Sequence, residues 1–208
     1  MSSHIEELLR AANSTDEPVT SVNSARRTFA DEGEAREFFL DVCRRLLDIR
    51  EWDASSSPSS YALFDERGEQ VDAKPVNVDD FIRITIHASG KYDWVRVVKI
   101  VQEPDEMVIT VAPTYDPTAS PIEKDVISHF FHSEARNNFC VQLDGAVVSV
   151  YVIGLNERQN VRETGGILET VRNSATANFG YYSGVQKGTW IEFCKNFLKS
   201  DQETAAAE

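Results

Sequence analysis

Cysteine is scarce in this chain: Cys43, Cys140 and Cys194 are the only three in 208 residues. They stand far apart with no CxxC pair, which argues against a disulfide framework and against a zinc knuckle. Each lies in an apolar stretch, where a free thiol behaves as a small hydrophobe, and that usage points to a reducing compartment. Long apolar runs are missing too. None approaches the roughly 20 residues that a helix needs to cross a bilayer, and Glu6 and Glu7 stand where a secretory leader needs Lys or Arg. The expectation is a cytoplasmic protein with no membrane attachment. Positive charge is the third deficit. Lys and Arg number 21 against 34 Asp and Glu, a net charge of −13. Nucleic acid and anionic membranes both need cations to displace counterions, so neither is an expected partner.

Catalytic patterns are lacking as well. Tyr181 and Val185 occupy the two positions around Ser183 where a nucleophile elbow needs Gly. The zinc-protease spacing of two histidines around a Glu does not occur. Gly165-Gly166 stands alone, without the other residues of a phosphate loop.

What is present is the composition of a core-forming chain, 41% hydrophobic and 26% charged. Its sharpest local marker is Gln142-Leu143-Asp144-Gly145-Ala146-Val147, an Asp-Gly between two apolar runs. That predicts a hairpin of Phe139–Leu143 with Ala146–Ile153 around a type I′ turn, in which both central residues take positive φ. Further strands are expected at Tyr61–Phe64, Phe81–His87, Trp94–Val101 and Met107–Ala112, the second with Ile82, Ile84 and Ile86 on its buried face. Turns at Asp65–Gly68 and Glu103–Glu106 space them as in a meander or small barrel.

Helices read from caps and from the 3.6 period. Ser3 and Glu6 have capping-box spacing before a short helix to about Ala12. Asn13–Ser24, small and polar with Pro18, reads as a linker. Asp31 and Glu34 repeat the cap spacing before a stripe of Phe38, Phe39, Val42, Leu46 and Ile49, with Arg36, Arg44, Arg45 and Asp48 mainly off it. Ser120-Pro121 opens an expected helix over 121–132. Ile167, Leu168, Val171 and Ala175 suggest another, and Trp190, Phe193, Cys194, Phe197 and Leu198 mark a last amphipathic one. The fold class is therefore α+β: a bent antiparallel sheet or partly open β-barrel packed by helices, with a C-terminal helical pair. Residues 1–30 are expected to be a helical arm and linker, 31–200 one domain, and 201–208 a tail.

Two polar constellations are candidate sites. Asp125, His129 and His132 fall at i, i+4 and i+7 of the expected 121–132 helix, on one side of it, as a metal site requires. The plainer reading is that these histidines flank the aromatic pair Phe130 and Phe131. Asn156, Glu157, Arg158 and Arg162 crowd a loop directly after an apolar strand, a placement that suits ligand binding. The plainer reading there is a solvated loop. No cofactor is assigned. With no specific catalytic pattern, an acidic balance and a tethered amphipathic arm, the expected function is a non-enzymatic cytoplasmic interaction or assembly protein. It would bind a protein partner or a second copy of itself. The alternative is a small hydrophobic-ligand binder, or an enzyme, using a cavity between sheet and helices lined by Trp52, Trp94, Trp190, Tyr181 and Tyr182.

Overall fold

The computed structural model describes residues 3–14, 20–53, 59–72, 74–87, 91–119, 131–158 and 188–199. In chain order these form α1 (His4–Ala12), β1 (Ser21–Thr28), α2 (Glu32–Leu47), a 3₁₀ turn (Ile49–Trp52), β2 (Ser59–Phe64), β3 (Phe81–Ile86), β4 (Lys91–Glu103), β5 (Glu106–Pro113), β6 (Arg136–Asp144), β7 (Val147–Leu155) and α3 (188–197). The seven strands make one antiparallel sheet in the order β1-β7-β6-β5-β4-β3-β2. It curls into a half-barrel, as the α+β expectation required. The first strand returns beside the last, so both ends of the described sheet are edges.

Period-two alternation sorts the strands' side chains onto two faces. The inner face carries Ile82, Val95, Val97, Ile109, Val111, Phe139, Val141, Val148, Val150 and Val152 against Phe39, Val42 and Leu46 of α2 and Phe193, Cys194 and Phe197 of α3. Rings fill its centre: Trp52 lies 4.4 Å from Phe139 and 5.3 Å from Phe193, and Trp190 lies 5.5 Å from Phe139. The outer face of β5–β7 carries Val108, Cys140 and Ile153, covered by Ile5 and Ala12 of α1. No described helix is long and apolar enough to cross a membrane.

The capping box of α1 is present, with Ser3 accepting from the Glu6 amide and Glu6 closing back on the Ser3 amide. A tertiary contact adds to it. The Glu106 carboxylate on β5 accepts from the His4 amide at 2.8 Å and the Ile5 amide at 3.3 Å, placing negative charge at the helix N-terminus. Burial raises the Glu106 carboxyl's pKa, but the hydrogen bonds from Ser3, His4 and Ile5 outweigh it and the net direction is down. The helix expected as an arm is thus seated on the sheet.

Several expectations need correction. Residues 21–28, expected to be linker, form β1, in register with β7 from Ser21 opposite Gly154 to Thr28 opposite Val147. Only Asn23 of this strand is buried, so it shows no apolar alternation, and β7 supplies the order. The β6–β7 hairpin is present, but Asp144 pairs with Val147, leaving Gly145-Ala146 as the two-residue loop. Gly145 has φ +55° and Ala146 is not in the positive-φ region, which matches type II′ instead of I′. Arg45 is buried. It bonds Asp41 at 2.8 Å and donates to the Phe197 carbonyl at 2.9 Å, tying α2 to α3. One C-terminal helix is described; the companion expected over Ile167–Ala175 lies outside the described residues. So do residues 121–130 of the expected 121–132 helix, while Phe131 sits in an isolated bridge and His132 in coil.

Candidate functional site

β1 is the strand the sequence concealed, and polar contacts hold it at both ends. At its start the chain leaving β7 turns back beneath it. Asn156 takes φ +55°, a conformation that Asn tolerates better than most residues. This turn swings Glu157 inward, where it is 6% exposed. The carboxylate accepts from Asn137 Nδ2 on β6 at 3.1 Å and from the Ser21 side chain on β1. Gly154 makes room for it. A Cβ at that position would lie 2.3 Å from the Glu157 carboxyl carbon, closer than any side chain tolerates. Burial pushes the Glu157 carboxyl up from its ordinary pKa, and the Ser21 and Asn137 bonds pull it partly back.

Of the two polar constellations read from the sequence, one residue of each is in contact here, His132 with Arg158. The His132 amide donates to the Arg158 carbonyl at 2.9 Å, and Asn156 Nδ2 donates to Glu134 Oε2 at 3.3 Å. Asn156, Glu157 and Arg158 knit loop to sheet through backbone and buried bonds, as a structural node does. Asp125, His129 and Arg162 lie outside the described residues. Among the described residues no three His, Cys, Asp or Glu side chains are grouped to hold a metal ion.

At its other end β1 meets α3. Arg27 Nη1 donates to the Leu198 carbonyl at 2.9 Å, and its guanidinium stacks 5.3 Å from Phe29 and 5.1 Å from Phe38. Between strand and helix runs a shallow groove of about 470 Å³ lined by Ala25, Arg26, Arg27, Lys195, Leu198 and Lys199. Four of those six residues are cations, in a chain whose net charge is −13. Among the described residues β1 pairs on one side only, with β7, so the groove runs beside an open row of backbone donors and acceptors. The Arg26-Arg27 pair was visible in the sequence, but its meeting with Lys195 and Lys199 spans some 170 positions and leaves no local signal.

The cysteines are poor nucleophiles in these positions. Burial pushes the thiols of Cys43 and Cys194 up to about 12 and that of Cys140 up as well, so all three are protonated at neutral pH.

No family model and no curated protein matches this sequence. Among solved structures the chain is similar to a hypothetical protein from Helicobacter pylori, at 10% identity and TM-score 0.46 over 87% of this chain and 93% of that one. It is also similar to protein Ms6760 from Mycobacterium smegmatis, at 12% identity and TM-score 0.38 over 87% and 91%. A third likeness is to the extracellular domain of PknH from Mycobacterium tuberculosis, at 9% identity and TM-score 0.35 over 76% and 57%. Similarity at this level assigns no activity.

Proposed function

We propose that the chain is a non-enzymatic interaction or assembly protein that takes an extended acidic segment of a protein partner along the open edge of β1. The observation that carries this reading is the cationic groove beside that edge. A free strand edge offers main-chain hydrogen bonds to an incoming strand, and flanking side chains select what is added. Arg26 is exposed on the strand, Lys195 lies on α3 and Lys199 just past its end. Lys195 already pairs with Glu192 at 2.9 Å, but both side chains are 55% exposed, and such a surface pair exchanges partners at small cost. The three buried free cysteines suit a reducing compartment, and we place the protein in the cytoplasm. The alternative, an apolar ligand between sheet and helices, has no comparable support, because Trp52, Phe139, Trp190 and Phe193 occupy that space in mutual contact.

The test is calorimetric titration with a soluble peptide alternating Glu and Val. Binding should weaken as salt rises, and the double reversal R26E/K199E should cost roughly tenfold in affinity, about 1.4 kcal/mol. Equal affinity in the reversed variant, or amide shifts that spare β1, would refute the reading.

A further inference from the structure

The outer face of β2, β3 and β4 lies at the far end of the sheet from β1 and carries a second cluster. Register puts Arg83 opposite both Ala62 and Trp94, and Phe81 opposite both Phe64 and Arg96. The Arg83 guanidinium sits 5.2 Å from the centre of the Phe64 ring and 5.9 Å from that of Tyr92. Trp94 stands edge-on to the same two rings, at 4.7 and 6.3 Å. Phe64, Phe81 and Trp94 are buried, whereas Tyr92 is 47% exposed and forms the outer wall.

Four buried side-chain nitrogens lack a hydrogen-bond partner among the described residues, and three of them are here: Arg83 Nε, Trp94 Nε1 and Arg96 Nε. A buried donor left unmet is destabilising, because it gives up its bond to water and gains none in return. Three at neighbouring register positions make an expensive arrangement for packing alone. Charge gives the second observation. Arg96 pairs with Asp79 at 2.8 Å, but among the described residues no carboxylate pairs with Arg83, although acidic side chains outnumber basic ones 34 to 21. Among the described residues the Arg83 charge is therefore uncompensated, between ring faces.

We propose that this cluster binds the carboxylate of a small organic acid. Its oxygens accept from Arg83 and Trp94 Nε1, with Arg96 Nε alongside, and its apolar body lies against Phe64 and Tyr92. One uncompensated charge matches a monoanion better than a phosphate dianion, and a planar carboxylate fits the planar guanidinium. Ala62, directly across from Arg83, is small and only partly buried. The exposed Tyr92 ring is the element that must swing aside for entry.

The experiment is a ¹⁵N NMR titration of the full chain, reading the indole N–H resonance of Trp94, assigned with Trp94→Phe. Benzoate should shift it saturably, and benzyl alcohol, its neutral counterpart, should not. Arg83→Gln should abolish the shift. Arg83→Lys keeps the charge and guards against a folding defect in the Gln variant, and it should weaken binding about tenfold because the planar fork is lost. R26E/K199E, which disables the β1 groove, should leave the titration unchanged. An indole resonance that benzoate does not move would overturn the proposal. So would an equal response to benzyl alcohol, tighter binding of inorganic phosphate, or an unaltered titration in both Arg83 variants.

Discussion

β1 and the β6–β7 hairpin are neighbours in one sheet, yet opposite principles hold them. The hairpin buries apolar side chains on both faces: Phe139, Val141, Val150 and Val152 look inward to α2 and α3, while Cys140 and Ile153 look outward to α1. Burial on both faces fixes its register, because a slip of one residue would exchange the two sets. β1 buries one residue, Asn23. Its order comes from pairing with β7 and from the anchors at its ends, Ser21 to Glu157 and Arg27 to the Leu198 carbonyl. A strand held in this way keeps its outer edge and its charges available, whereas a strand held by burial does not. The contrast explains how a strand unpaired on one side among the described residues and a stable core can share one sheet.

The largest effect that tests this contrast is expected at Phe139→Ala. Phe139 is 2% exposed and contacts the rings of Trp52, Trp190 and Phe193. Removing its ring should cost about 3–5 kcal/mol of unfolding free energy, read by urea denaturation. A loss no greater than that of an exposed site would mean that the inner face is not the packed core described above. Next comes Gly154→Ala, at the junction of the two strands. The added methyl would have to share space with the Glu157 carboxyl, so either Glu157 is expelled or the strand shifts. A loss of roughly 1–3 kcal/mol is expected, with amide shifts concentrated at Ser21, Asn137 and Glu157. Shifts spread instead along the whole hairpin would show that the node does not act locally.

Glu157→Gln should be milder and depend on pH. Burial raises the native pKa of Glu157, so in the interval above its ordinary value the native state holds more protons than the unfolded chain. Stability from this group is therefore highest in acid and declines as pH rises through the native pKa. Gln carries no such charge. The variant should gain on wild type between mildly acidic and neutral pH, as measured by melting temperature across that range. A difference independent of pH would mean that the carboxyl does not titrate as buried.

The same contrast decides what could be read in advance. The hairpin was legible because apolar runs flank an Asp-Gly, and α2 because Asp31 caps a periodic stripe, accepting from the Gly33 and Glu34 amides. Even so, Asp-Gly did not fix the turn, since the pairing extends through Asp144 and makes Gly145 the first loop residue. Ser21-Val22-Asn23-Ser24-Ala25-Arg26-Arg27-Thr28 has no apolar period, so nothing local separates it from a linker. The polar loop was legible as composition but not as geometry. Glu157 meets Asn137 twenty positions away, and only the folded register brings them together. The outer cluster was half visible: strand alternation put Phe81 and Arg83 on one face, but the absence of a carboxylate opposite Arg83 is a property of three paired strands.

The smallest effect on stability is expected at Arg26→Glu, and its smallness is what makes it informative. Arg26 is exposed, and no hydrogen bond or ion pair holds it among the described residues. Reversing its charge should change unfolding free energy by no more than about 0.5 kcal/mol. If β1 is held by its ends, the variant should melt with wild type while losing affinity for an acidic strand. If Arg26 instead belonged to the machinery that orders β1, stability and binding would fall together. The loss of amide protection would then run along the strand from Ser21 to Thr28. Separation of the two readouts is therefore the outcome that would distinguish an edge kept for a partner from an edge merely tolerated by the fold.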